Sequence, residues 1–145
     1  MKTRKIKLNP LFNPPVTKTD DIELYPNGIF DFNITKIKED IEDGILIPAI
    51  EEILLHDWFR EHYESRSLDE SFVMRANIEI PVIQAEIRIG RYELIDGNHR
   101  MAKANRTNTP SIKSYKIQGE QLANYCNTKL GYEAYVKYWN EKLKG

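Results

Sequence analysis

One cysteine, Cys126, stands in the 145 residues, so the chain can form neither an internal disulfide nor a cysteine-rich zinc site. That scarcity suits a reducing compartment. Long apolar runs are missing too: no stretch approaches the length of a membrane span, and the opening MKTRKIKLNPLFNPP lacks the apolar core of a signal peptide. The expectation is a cytoplasmic protein with no membrane partner. No sign of charge dominates, with 21 basic against 22 acidic residues and a net charge of -1. A global attraction for nucleic acid is therefore absent, because such binding rests on Lys and Arg neutralising phosphates. Lys2, Arg4, Lys5 and Lys7 form a local basic stretch, read first as a solvated terminal arm and second as a possible contact for DNA. Histidine is scarce, and His56 and His62 lack the four-residue spacing of a metal pair on a helix.

What is present describes a globular chain: 41% hydrophobic, 10% aromatic and 30% charged residues. At this size one domain buries about two-thirds of its unfolded surface. Residues 1–28 hold Pro10, Pro14, Pro15 and Pro26 without sustained periodicity, which predicts an extended arm, laid on the surface or free. A single domain is expected over 29–145. Phe30, Phe32 and Ile34 alternate with polar residues as in a strand. Ile34, Ile37 and Ile41, followed by Gly44, predict a short helix with a left-handed end. From Pro48, the series Ile50, Ile53, Leu54, Trp58 predicts a longer amphipathic helix. Residues 62–76 read as an irregular loop.

The clearest strand has Ile83, Ala85, Ile87 and Ile89 on one face and Gln84, Glu86 and Arg88 on the other. Gly90 marks a turn, and 91–95 return as the second strand of a hairpin. A helix is expected over 99–106, a strand over 111–117, and helices over 119–127 and 131–143. The last carries Tyr132, Tyr135, Val136, Trp139 and Leu143 on one face, a stripe for packing. Trp58 and Trp139 read as core or interface anchors. The class is α+β.

The run RYELIDGNHRMAKA, 91–104, joins strand, tight turn and helix start. Such a junction favours anions, because the first amides of a helix lack intrahelical partners and the helix dipole adds partial positive charge. Gly97 allows close backbone approach and Asn98 completes the turn. Arg100 offers a fork for phosphate oxygens, His99 a further donor, and Lys103 a charge at the rim. Asp96 has two open roles: orienting His99 or Arg100, or holding a magnesium ion beside a nucleotide. The same residues also read as an Asx turn with a helix cap, in which Arg100 pairs with Glu93 or Asp96.

The run Leu94-Ile95-Asp96-Gly97-Asn98-His99-Arg100-Met101-Ala102-Lys103-Ala104 resembles the signature of the ParB/sulfiredoxin superfamily, where a strand ends in a glycine turn before a His-Arg or Arg-Arg pair. Pro81-Val82-Ile83 before the turn, and Pro110 with a strand after it, are similar to that layout, so the resemblance spans about 29–117. It implies a small mixed sheet with packed helices and a nucleotide (ATP, ADP or CTP, with Mg2+) seated on the turn. Sulfiredoxins place a cysteine directly before the His-Arg pair; Asn98 stands there, which sets reductase activity aside. Only 28 residues follow Ile117, too few for the DNA-binding and dimerisation modules of the chromosome-segregation members.

What remains resembles the free serine kinases. The implied function is phosphoryl transfer to a small molecule, or nucleotide hydrolysis, with Asp96, His99 and Arg100 catalytic and Asp31, Glu39 and Asp40 as alternative bases. A DNA-binding or nuclease accessory protein is the alternative.

Overall fold

The computed structural model describes residues 3–66 and 68–144; Lys2 of the basic stretch lies outside them. The chain is mixed α and β, as expected. Its elements are β1 (Leu24–Tyr25), β2 (Phe32–Asn33), α1 (Ile34–Glu42), β3 (Ala49–Leu54), α2 (Leu55–Glu61), α3 (Glu70–Val73), β4 (Val82–Arg88), β5 (Arg91–Asp96), α4 (Asn98–Arg106), β6 (Ser111–Ile117), α5 (Gly119–Leu122) and α6 (Lys129–Leu143). β1 pairs antiparallel with β2, and the other strands form a sheet in the order β3-β6-β4-β5. The β4–β5 hairpin turns on Ile89 and Gly90, whose left-handed backbone (φ +74°) suits a residue without Cβ. Among the described residues no helix is long and apolar enough to cross a membrane.

Two compact units result: Met1–Pro48, Ala85–Glu93 and Ile117–Gly145 form the first, Ala49–Gln84 and Leu94–Lys116 the second. In the first, Asn33 caps α1 by accepting the Lys36 amide (2.9 Å), which starts the helix at Ile34 and cuts the expected strand to two residues. α1 ends with Gly44 left-handed, as its isoleucine spacing predicted. Tyr132, Tyr135, Val136 and Trp139 of α6 are buried. Tyr135 meets Phe30 and Phe32 edge-on, each with ring centroids 5.3 Å apart.

The arm, 3–28, is laid on the surface and not free; at its basic end Arg4 is half-buried while Lys5 and Lys7 are exposed. Ile6 exchanges two hydrogen bonds with the Asn140 side chain, each 2.9 Å. Asn9 donates to the Tyr132 hydroxyl (2.8 Å), and Phe12 stacks on the Tyr132 ring at 4.0 Å. Trp139 Nε1 donates to the Arg4 carbonyl (3.0 Å) while the Arg4 guanidinium lies over its ring.

Arg4 owes this place to Glu86. Assigned by alternation to the polar face of β4, Glu86 is instead 2% exposed. Arg4 grips both its oxygens, and the amides of Gly90 (2.7 Å) and Gly119 (3.2 Å) donate to the same carboxylate. Glu120 holds the other side of the guanidinium. Burial works to raise the Glu86 carboxyl, but Arg4 and the two amides outweigh it and hold it below the usual carboxylate range. The Arg4 contact holds Glu120 low as well.

In the second unit the expected long helix from Pro48 is half strand. Ala49–Leu54 pair with β6 in full register, Ile53 opposite Ile112 and Glu52 opposite Lys113. Lys116 also pairs with Glu51 at 3.2 Å. Intrinsic helix preference among such residues differs by at most about 0.7 kcal/mol each, whereas each cross-strand pair contributes roughly 0.2–1 kcal/mol and a short isolated helix is marginal. Only α2 keeps the helix, setting Trp58 and Phe59 against the core of Ile53, Leu55, Val82, Met101, Ala104 and Ile112. The region expected as loop, 62–76, contains α3, anchored by Val73 at 0% exposure. Gln84, assigned to the same polar face as Glu86 and Arg88, is also buried and donates to Glu51 and Ser114, each 3.0 Å, while Arg88 is exposed as expected.

Two outcomes follow. Arg4→Met leaves the Glu86 carboxylate buried without its cation and should cost about 3 kcal/mol at pH 7. Because the folded carboxyls of Glu86 and Glu120 titrate below their unfolded values, their contribution is complete at neutral pH and fades as pH falls through the folded values. Urea midpoints at several pH values should show a flatter acid limb in the variant; parallel limbs would refute the account. Cys126 is fully buried, and burial pushes its thiol up to about 12. Iodoacetamide should leave it unmodified in native protein and alkylate it in urea, as read by mass spectrometry.

Candidate functional site

β5 ends at Asp96 and α4 begins at Asn98, so Gly97 makes the whole connection. Its backbone is left-handed (φ +110°), and a Cβ there would overlap the Val82 side chain. Glycine therefore serves twice, for its dihedral and for its close approach to β4. No side chain caps α4. The first amides of a nine-residue helix are thus left to solvent or a ligand.

The side chains expected to bind the anion have other tasks. Arg100 Nη2 pairs with Asp96 Oδ2 at 2.7 Å, and Nη1 donates to the Pro81 (2.6 Å) and Ile80 (3.2 Å) carbonyls. Its fork ties the end of β5 to the entrance of β4. Of the two roles open to Asp96, orienting Arg100 is the one observed. His99 Nε2 accepts the Asp69 amide at 3.0 Å, so that nitrogen carries no proton to donate. Lys103 does not reach the rim: its Nζ donates to the Ala76 carbonyl at 2.8 Å. Arg106 pairs with Glu64 and Glu70. One edge of α4 thus holds the 64–81 segment by successive polar contacts.

That clamping builds a cleft of about 300 Å³ in front of the turn, with Asp96 to Arg100 on one side and Phe72, Arg75, Asn77 and Ile80 on the other. His99 and Arg100 are brought together there, alongside Gly97 and Asn98. Arg75 is the cation that sequence reading missed. Its Nε donates to the Ser71 carbonyl (2.9 Å) and its guanidinium lies 4.7 Å from the Phe72 ring centre. Its terminal nitrogens have no hydrogen-bond partner among the described residues. Phe72 and Ile80 are 51% and 53% exposed. No periodic signal marked this stretch; a Phe and an Arg three apart in a polar segment were the available clue.

No protein-family model matches this chain, and searches of curated proteins and of solved structures return no match.

The other candidates are not among the residues that line the cleft. Asp31 accepts the Asn27 amide (3.1 Å) and Glu39 the Lys18 amide, while Asp40 accepts the Tyr125 hydroxyl (2.7 Å), all within the first unit. Each is held by a local partner. Trp139 is a core residue, as expected. His62 stacks on Trp58 with ring centroids 3.9 Å apart and His56 is exposed. Among the described residues no three His, Cys, Asp or Glu side chains form a metal-binding group.

Gly97→Ala combines a left-handed alanine, about 1–2 kcal/mol, with overpacking against Val82, about 1–3 kcal/mol. Urea unfolding should show a loss of roughly 2–5 kcal/mol, and Asn98→Ala, where no side-chain cap exists, a much smaller one. An unchanged midpoint for Gly97→Ala would contradict the close approach.

Proposed function

We propose that this chain binds a nucleotide through its phosphates in the cleft at the start of α4. One observation carries the reading: an uncapped helix N-terminus opens onto a cleft that also presents the Arg75 guanidinium. Oriented amides and partial positive charge favour an anion by about 0.3–1 kcal/mol each at exposed positions. Hydrogen bonds to a charged group add about 1.5–3 kcal/mol. The half-exposed Phe72 beside Arg75 suits a base, since stacking on an aromatic ring is worth about 1–3 kcal/mol.

The resemblance of the Asp96-Gly97-Asn98-His99-Arg100 turn to the ParB/sulfiredoxin superfamily supports the same ligand. In this reading the α4 amides and Arg75 hold the phosphates, Asn98 and Asn77 flank them, and His99 and Arg100 are positioning residues. For phosphoryl transfer or hydrolysis, Asp96 is the carboxylate on the lining and the group to accept a proton. With its Oδ2 on Arg100 and no further carboxylate on the lining, it does not make a resident magnesium site.

Calorimetric titration of ATP, ADP, CTP and pyrophosphate, each with and without magnesium, tests the proposal. Saturable binding of at least one nucleotide is expected, weakened about tenfold by Arg75→Ala. Phe72→Ala should weaken the nucleotide and spare pyrophosphate. Absence of saturable heat from all four ligands would overturn the reading.

A further inference from the structure

β3 is an edge of its sheet, with β6 on one side and no strand on the other among the described residues. Register decides which backbone groups face the open side. The Leu55 amide donates to the Pro110 carbonyl at 3.1 Å, in line with the pairing of Ile53 with Ile112 and Glu51 with Ser114. Antiparallel pairs alternate between bonded and non-bonded, so positions 49, 51 and 53 turn their backbone groups toward β6. Ile50, Glu52 and Leu54 turn their amides outward, and Ile50 and Glu52 their carbonyls as well.

The side chains of these three residues share one face, because residues two apart in a strand do. Ile50 and Leu54 are 65% and 55% exposed, and Glu52 between them is exposed too. Glu51 has its cation in Lys116. Glu52 forms no ion pair among the described residues, and its Oε2 accepts the Ser111 hydroxyl at 2.8 Å. An open row of backbone donors and acceptors is a template for a further strand. A second copy of β3 is disfavoured there, since the full-overlap antiparallel register sets Glu52 on Glu52 and like charges directly opposite repel. β6 shows the complement from the inner side, with Lys113 opposite Glu52 and Tyr115 opposite Ile50.

From these features we infer that the open edge of β3 takes up an extended peptide as an added antiparallel strand. The peptide carries a basic residue across from Glu52 and, two positions to either side, apolar residues across from Ile50 and Leu54. Main-chain bonds to the outward groups of Ile50, Glu52 and Leu54 hold it, and Glu52 selects its charge.

The probe is acetyl-Thr-Val-Thr-Lys-Thr-Val-Thr-amide. One control has Glu in place of the Lys; the other is N-methylated at the Lys and both Val nitrogens, which then cannot donate. In amide-resolved NMR titration of the whole chain, the Lys peptide should give saturable shifts at Ile50, Glu52 and Leu54 and slow the solvent exchange of these amides. Both controls should bind at least about tenfold more weakly. Glu52→Lys, at an exposed position, should reverse the preference in favour of the Glu peptide. Equal affinity for the three peptides, shifts confined to other residues, or no saturation with the Lys peptide would each overturn the inference. Concentration-dependent shifts of the same amides without peptide would assign the edge to a second copy and overturn it as well. If Glu52→Lys does not fold, the three-peptide comparison decides.

Discussion

The second unit depends on the close approach of Gly97 to Val82. A backbone without Cβ lets the chain leave β5, turn within one residue and start α4 against the strand beside it. Ala104 and Met101 then pack into the core with Val82, and the polar edge of α4 faces the 64–81 segment. His99, Arg100, Lys103 and Arg106 each hold a different point of that segment or its junction with β4. The cleft is a product of this clamping: α3 is a single turn that could not hold itself in place, and Phe72 and Arg75 line the cleft because α4 fixes the chain on either side of them.

An equivalent constraint in the first unit is a charge inside the protein. Burying an ionised carboxylate without partners costs several kcal/mol, and Glu86 is buried at 2% exposure. The hairpin turn and the start of α5 each donate an amide, and the arm brings Arg4. A segment rich in proline thereby becomes structural. The same fact bears on nucleic acid: Arg4 faces two carboxylates and an indole ring, not solvent phosphates.

Legibility in the sequence followed the range of the interactions. Helix α1, the β4–β5 hairpin, α4, β6 and the buried stripe of α6 were readable because periodicity and turn residues act within a few positions. β3 was not: Ile50, Ile53 and Leu54 fit helical spacing, and only pairing with β6, some sixty positions on, selects a strand. Alternation along β4 placed Glu86 and Gln84 correctly opposite the isoleucines but could not show that this face is buried as well. The turn at 96–100 was found as a place, and the internal contacts of its side chains were not legible. A cation next to an anion-friendly turn reads identically in sequence whether its partner is a ligand or a carbonyl from twenty residues away.

Taken alone, the sequence determined the α+β class, the position of the strand-turn-helix junction and the need for glycine at it, since these follow from short-range sterics and hydrogen bonding. The tertiary structure decided which charges are free. Arg100 and Lys103 are satisfied internally, whereas Arg75 keeps its terminal nitrogens without a hydrogen-bond partner among the described residues. The physical reason is that a charged group binds whichever partner the fold brings within reach, and only the folded chain determines that distance.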